Sequence, residues 1–319
     1  MGSVDRGMSD VAGTSSSGLL DSVVRIGRFT AVMYKPHYVL YGVLWVLALE
    51  GTAALVSQPD SAWHPTGSTV LRIVVVAFVL LYLRMVDEQK DLDYDRVHNP
   101  DRPLVTGAIS ATELRAAMAV IAVGAIVASL TLSVVSALMI AAVLAYGLAL
   151  WGLERLSATV RTDILANLAV TYPVQLLVTA YVVLSAADTG EVRATWKTAA
   201  VALIFAGAFL QFEFARKTSR TPRTDEHFYS NALGAMGSTA FGLLCAAVAA
   251  ATDIALVQPW TYTSAQAVIA WIPSALLLLP IWGAVKFLRG GKPDYPVLPA
   301  VLFILTLYTA LIVQAITLT

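Results

Sequence analysis

The sequence predicts an all-α integral membrane protein of nine transmembrane helices packed as a single bundle, and three observations carry that prediction. Of 319 residues, 58% are hydrophobic and only 13% are charged, whereas a soluble globular chain carries about 25% charged residues. Nine apolar runs approach the roughly 20 residues needed to cross a hydrocarbon core: 37–57, 68–86, 112–132, 134–152, 164–186, 198–214, 232–252, 265–288 and 296–317. Basic residues, which stay on the cytoplasmic side, alternate with those runs. With the N-terminus inside, the inner segments hold Arg25, Arg28, Lys35, Lys90, Arg96, Arg102, Arg155 and Arg161, then Arg216, Lys217, Arg220, Arg223, Lys286, Arg289 and Lys292. The outer segments hold only Arg193 and Lys197. The asymmetry predicts a cytoplasmic N-terminus and, with an odd number of spans, termini on opposite sides.

Residues 1 to about 20 are polar and rich in Gly and Ser, without the apolar core of a signal peptide. They are expected to form a disordered tail, leaving 21–319 as one transmembrane domain. The first run opens behind Lys35-Pro36-His37, and the second leads into a strongly acidic stretch. The third and fourth are nearly continuous. The fifth contains Asn167, Tyr172, Pro173 and Gln175, and the sixth Gln211 and Glu213; polar groups at that depth face a bundle interior or a cavity. Helix–helix hydrogen bonding explains Asn167 and Gln175 equally well, but a carboxylate such as Glu213 needs a partner or a metal. Cys245, inside the seventh run, is the sole cysteine and reads as a small hydrophobe, so no intramolecular disulfide forms. The formal net charge of zero argues against nucleic acid as a partner.

Two inner segments, 87–111 and 215–231, are long and highly charged, unlike the outer loops. In the first, Asp87, Asp91 and Asp95 recur at i, i+4 and i+8, one face of a helix if the preceding helix continues. Like charges so placed repel. A divalent cation between them removes the repulsion, and hard carboxylate oxygens favour Mg²⁺. The plain alternative is a solvated acidic cap outside the membrane. A transporter would place its binding site near mid-membrane, not in a loop at the inner face.

The stretch DEQKDLDYDRVHNPDRPLVTG resembles the first aspartate-rich motif of the UbiA superfamily of intramembrane prenyltransferases, NDxxDxxxD followed by an RPxRP-like segment and a glycine. Asp91 and Asp95 match the last two aspartates, with Asp87 in the asparagine place and Glu88 in the first aspartate place. Asn99, Pro100, Arg102, Pro103, Leu104 and Gly107 match the trailing segment, and Lys35-Pro36-His37 resembles the basic-Pro pair that opens the first helix. The resemblance covers essentially the whole chain. It implies a central cavity capped by cytoplasmic loops, a prenyl diphosphate substrate in the bilayer, and Mg²⁺. Asp87, Glu88, Asp91, Asp95 and Glu213 are then expected as metal ligands, with Asp87, Asp91, Asp95 and Glu213 the catalytic carboxylates. Lys35, Arg102, Arg216, Lys217 and Tyr229 are expected at the diphosphate.

The second motif departs from the family pattern. In place of DxxxD at the end of helix six stands QFEFARKTSRTPRTDEHFYSNALG, with Glu213 at the first acidic place and Lys217 at the second. Either Arg216 or Lys217 replaces part of a metal's charge, or the loop folds back so that Asp225 or Glu226 supplies the missing ligand. Ordinary positive-inside residues are the bland reading of this basic run. Ionisation would leave an allylic cation among apolar and aromatic side chains such as Tyr172, Phe209 and Phe212, whose faces stabilise a cation. The altered motifs resemble the divergent branch in which the prenyl chain cyclises on itself. Transfer to an aromatic or other lipophilic acceptor is the alternative.

Overall fold

The computed structural model describes residues 9–223 and 226–318, with side chains from residue 18 onward. An N-terminal helix, α1 (Ser9–Met33), precedes α2 (Pro36–Ser57), α3 (Gly67–Lys90), the short α4 (Leu92–His98), α5 (Ala111–Leu130) and α6 (Val134–Leu156). The short helices α7 (Ala158–Thr162) and α8 (Ile164–Thr171) lead into α9 (Pro173–Asp188). They are followed by α10 (Trp196–Arg216), α11 (Tyr229–Val257), α12 (Ser264–Ala275), α13 (Leu278–Arg289) and α14 (Val297–Thr317). Among the described residues nine helical segments are long and apolar enough to cross a membrane, α8 with α9 forming one and α12 with α13 another. They agree with the predicted runs to within about four residues, except the seventh, predicted to end at 252, which extends to Thr261. The expected tail is different: α1 starts at Ser9, so residues 9–20 are helical, and residues 1–8 lie outside the described residues.

Local chemistry sets the helix ends. Pro36 sits in the first turn of α2, where its missing N–H costs nothing. Thr66, Ser110 and Thr195 each form a reciprocal capping box, with Thr69, Glu113 and Thr198. Ser133 caps α6 and separates the third and fourth spans. Pro173 cannot continue the hydrogen-bond ladder, so the fifth span breaks into α8 and α9.

α2 is central, buried almost continuously from Trp45 to Val56 and packed against α3, α9, α10 and α14. α10 and α11 form the tightest pair. At Gly207 a Cβ would stand 2.4 Å from the Cys245 carbonyl oxygen, so only glycine lets the two backbones meet. On α5, Val120, Val123 and Val127 face outward, as lipid contact requires.

The end of the bundle away from the charged loops is closed by a buried ionic network. Arg72 and Glu50 are both fully buried and paired at 2.8 Å. Arg72 also donates to Thr189 Oγ1 at 2.8 Å and lies 3.3 Å from Glu191. Glu50 accepts from Thr69 Oγ1 at 2.7 Å and Trp63 Nε1 at 3.2 Å. These contacts tie together α2, α3, α9 and the segment before α10.

Candidate active site

α3 does not run straight through the acidic stretch. It stops at Lys90, Asp91 takes φ −90° and ψ 9°, and α4 restarts at Leu92. The hydrogen-bond ladder nevertheless survives at the positions that matter. The amide of Asp91 donates to the Asp87 carbonyl, Asp95 to Asp91, and Asn99 to Asp95, each at 2.8 Å. The three aspartates therefore stay one turn apart, carried by two helices instead of the one expected. Asp93 points away, almost fully exposed and paired with Arg96 at 2.8 Å.

Each acidic side chain has its own company. Asp95 is buried, accepts from Asn99 Nδ2 at 2.9 Å and is salt-bridged by Arg102. Glu88 is buried, and its Oε1 accepts from Arg84 at 2.6 Å and Arg102 at 3.0 Å, while its Oε2 is buried with no hydrogen-bond partner. Arg102, expected at the diphosphate, is thus committed to two carboxylates here. Lys90 Nζ lies 3.1 Å from Glu154, 3.6 Å from Asp87 and 3.7 Å from Asp91. The Asp91 side chain keeps 41% of its surface open, yet the surrounding protein withholds enough water to push its carboxyl up to about 6. Asp87, Glu154 and Asp95 add to that rise and Lys90 opposes it. The motif closes on Gly107, at φ +76°, a conformation that favours glycine.

At the second motif, Glu213 is buried and held by its own helix end, with Arg216 Nη2 at 2.7 Å and Lys217 Nζ at 3.0 Å. Lys217 Nζ also sits 5.5 Å above the ring of Tyr229, which is buried and stacked on Phe214 at 4.3 Å. The following loop is firmly held. Arg220 N donates to Pro293 O at 2.8 Å, Ser219 bridges to Asp294 as an isolated strand-like pair, and Arg223 clasps Asp294 at 2.7 Å. Glu226, expected as a metal ligand, pairs instead with Arg223 at 2.9 Å. Asp225 lies outside the described residues. Lys35 precedes α2 as its N-cap, is exposed, and makes no salt bridge among the described residues.

The two charged segments meet. Tyr94 on α4 stacks on His98 and approaches the His227 ring at 5.7 Å, and His227 Nε2 lies 3.1 Å from the Arg161 carbonyl. Burial, then the carboxylates of Glu226, Asp95 and Asp91, raise the Tyr94 phenol above its ordinary value. Deeper in the bundle lie aromatic rings. Tyr172 neighbours Phe209 at 6.1 Å, Tyr41 packs against Tyr308 and Trp45, and Phe205 lies 5.1 Å from Tyr308. Phe212 packs beside Ala215 and Phe287. Buried atoms of Tyr172, Gln175 and Gln211 have no hydrogen-bond partner. The sequence reading missed Glu154, Tyr41 and Tyr308. Glu154 was legible as a lone carboxylate just beyond an apolar run, at the same end as Lys90.

No family model matches the sequence. Over 124 residues the chain is 33% identical to a digeranylgeranylglyceryl phosphate synthase of Methanoculleus marisnigri, a stretch covering 39% of this chain and 43% of that protein. The match therefore spans less than half of the relative's length. A UbiA homologue from Aeropyrum pernix K1 superimposes with a TM-score of 0.58 at 20% identity, covering 84% of this chain and 94% of that one. A UbiA homologue from Archaeoglobus fulgidus gives 0.59 at 15% identity, covering 91% and 99%. The chain shares the fold of these UbiA homologues.

The resemblance of the first motif implies Mg²⁺, and its donor set fits that ion: hard carboxylate oxygens, one of them, Glu88 Oε2, buried and unpartnered. Among the described residues no three such side chains are gathered into a ready metal cage. Glu213 fits less well, because two side-chain cations already neutralise it. The departure of this chain from the motif pattern it resembles is therefore concentrated in the second motif.

Proposed function

We propose that this chain is a Mg²⁺-dependent membrane enzyme that ionises an isoprenoid diphosphate and releases diphosphate, with its charged loops on the cytoplasmic side. The carrying observation is an acidic face, with its orphan Glu88 Oε2, whose Tyr94 approaches His227 in the loop that follows the basic end of α10, with aromatic rings in the bundle interior. Relatives of the same fold support the substrate class: UbiA homologues from Archaeoglobus fulgidus are bound to DMAPP and Mg²⁺ and to GPP and Mg²⁺.

Asp87, Glu88 and Asp91 would hold the cation, with Asp95 fixed behind them by Arg102 and Asn99. When bound, Mg²⁺ neutralises charge on the departing diphosphate. Arg216 and Lys217, at the end of α10, donate to diphosphate oxygens from the opposite side, and exposed Lys35 adds a third positive charge. The allylic carbon–oxygen bond breaks with its electron pair leaving on the diphosphate. The carbocation stays in the bundle, where apolar side chains exclude water and the rings of Tyr172, Phe209 and Tyr41 offer their faces.

We infer that the cation is then captured within its own chain: a distal double bond donates its electron pair to form the ring bond, and proton loss or water addition ends the sequence. The altered second motif supports cyclisation. The match to digeranylgeranylglyceryl phosphate synthase favours a second reading, transfer to a lipophilic acceptor. Incubation of the detergent-purified protein with Mg²⁺ and farnesyl, geranylgeranyl or longer diphosphates, without acceptor, separates the two. A cyclic hydrocarbon or alcohol supports cyclisation; substrate consumed only after an aromatic or lipid acceptor is added supports transfer. No diphosphate release under either condition overturns both.

A further inference from the structure

Lys90 sits where a metal ion is expected to work. Its side chain is only 13% exposed, and its ammonium lies between three carboxylates on two helices. The three distances are unequal. Only Glu154, at 3.1 Å, is within hydrogen-bond range; Asp87 and Asp91, at 3.6 and 3.7 Å, are held by charge alone. Glu154 is itself fixed. Asn167 Nδ2 donates to the same Oε1 at 2.9 Å and to the Val160 carbonyl at 3.1 Å, while Arg161 Nη1 donates to the Glu154 carbonyl at 3.2 Å. The last turn of α6, α7 and α8 thus form a frame around one carboxylate. Among the described residues, Lys90 is the cation that salt-bridges Asp87 and Asp91.

We propose that Lys90 is a tethered competitor for the divalent cation, and that Glu154 is the positioning residue that draws it off Asp87 and Asp91. A lysine midway between two aspartates would neutralise them and weaken metal binding. A third carboxylate on the neighbouring helix, locked by Asn167, takes the ammonium's hydrogen bond and leaves both aspartates free to turn toward a metal. Asn167, a half-buried polar side chain that helix packing alone would explain, then serves to hold this tether. The inference rests on the reading of the acidic face as a divalent-cation site.

Binding of Mn²⁺ alone to the detergent-purified full chain, followed by electron paramagnetic resonance, tests the idea without turnover. Removing the competitor in Lys90→Met should tighten Mn²⁺ roughly tenfold, which is about 1.4 kcal/mol. Lys90→Arg, which keeps the charge, should stay near wild type and shows that the position tolerates substitution. Glu154→Gln should weaken Mn²⁺ by a similar factor, because Lys90 then closes on the aspartates. A simple loss of negative charge would also weaken binding, so the decisive measurement is the double variant. If Glu154 acts through Lys90, Glu154→Gln should change affinity less than threefold, roughly, when Lys90 is already Met. Additive effects, or weaker binding in Lys90→Met, overturn the proposal. Failure to turn over any prenyl diphosphate would overturn the proposed function, while opposite Mn²⁺ shifts in the two single variants with a non-additive double would still support this inference.

Discussion

Replacing Arg72 by Leu should be among the most damaging single substitutions in this chain, although the residue lies at the end of the bundle away from the charged loops. The change strips Glu50 Oε2 of its partner at 2.8 Å and removes the contacts to Thr189 at 2.8 Å and Glu191 at 3.3 Å. Glu50 is fully buried and keeps only Thr69 and Trp63, both on its other oxygen. Leaving one member of a buried ion pair without the other costs about 3–5 kcal/mol. At roughly 2 °C per kcal/mol for a chain of this size, that is a fall of roughly 6–10 °C in Tm. The assay is intrinsic tryptophan fluorescence in detergent at one fixed heating rate, because unfolding of such proteins is commonly irreversible. The double variant Glu50→Gln/Arg72→Leu removes the stranded charge while retaining acceptors for Thr69 and Trp63, and should recover most of the loss. A fall below roughly 2 °C, or a double variant no more stable than the single, would refute the reasoning that an uncompensated buried charge dominates.

Three further outcomes follow from the site and the bundle. Asp91→Ala and Asp95→Ala should abolish diphosphate release with Tm nearly unchanged for Asp91→Ala, whereas Asp93→Ala, whose side chain is exposed and faces Arg96, should keep most activity; equal losses at Asp91 and Asp93 would contradict the stacked arrangement. Because the Asp91 carboxyl is raised from 3.8 to about 6, divalent-cation affinity should fall as pH drops through about 6, and that step should vanish in Asp91→Asn. The sign for folding is opposite: this group disfavours the folded state fully above about 6, and its penalty fades as pH falls toward the unfolded value of 3.8. Gly207→Ala sets a methyl 2.4 Å from the Cys245 carbonyl oxygen, so α10 and α11 must separate; a loss of about 1–3 kcal/mol, read as a lower Tm, is expected.

The spans were legible because each is a long apolar run bounded by charge, and the bilayer fixes the length such a run must have. Their ends were less so, since capping residues such as Thr66 and Ser110 decide them one turn at a time. The acidic face was legible from a spacing of four. The break at Asp91 was not, because both helices preserve that spacing. The partners of the acidic residues were hidden for a different reason: Arg102 meets Glu88 at a separation of fourteen residues and Lys90 meets Glu154 at sixty-four. Glu50 and Arg72 carried a usable signal. They lie near the end of one span and the start of the next, so a short hairpin must bring them to the same depth, where opposite charges pair.

The charges at the two motifs bear on how a diphosphate would arrive. Asp87, Glu88, Asp91, Asp95 and Glu154 face Arg84, Lys90 and Arg102, leaving the first motif negative; Glu213 faces Arg216 and Lys217, leaving the second positive. A bare diphosphate is repelled by the first and attracted by the second. On the proposed function, the substrate therefore needs its divalent cation to approach the acidic face at all, and the basic helix end alone can orient it before that cation is in place. On that function this polarity would set the geometry of departure: the leaving group would be drawn across the mouth of the bundle from both sides, and the carbocation it leaves behind would lie toward the aromatic interior, away from water.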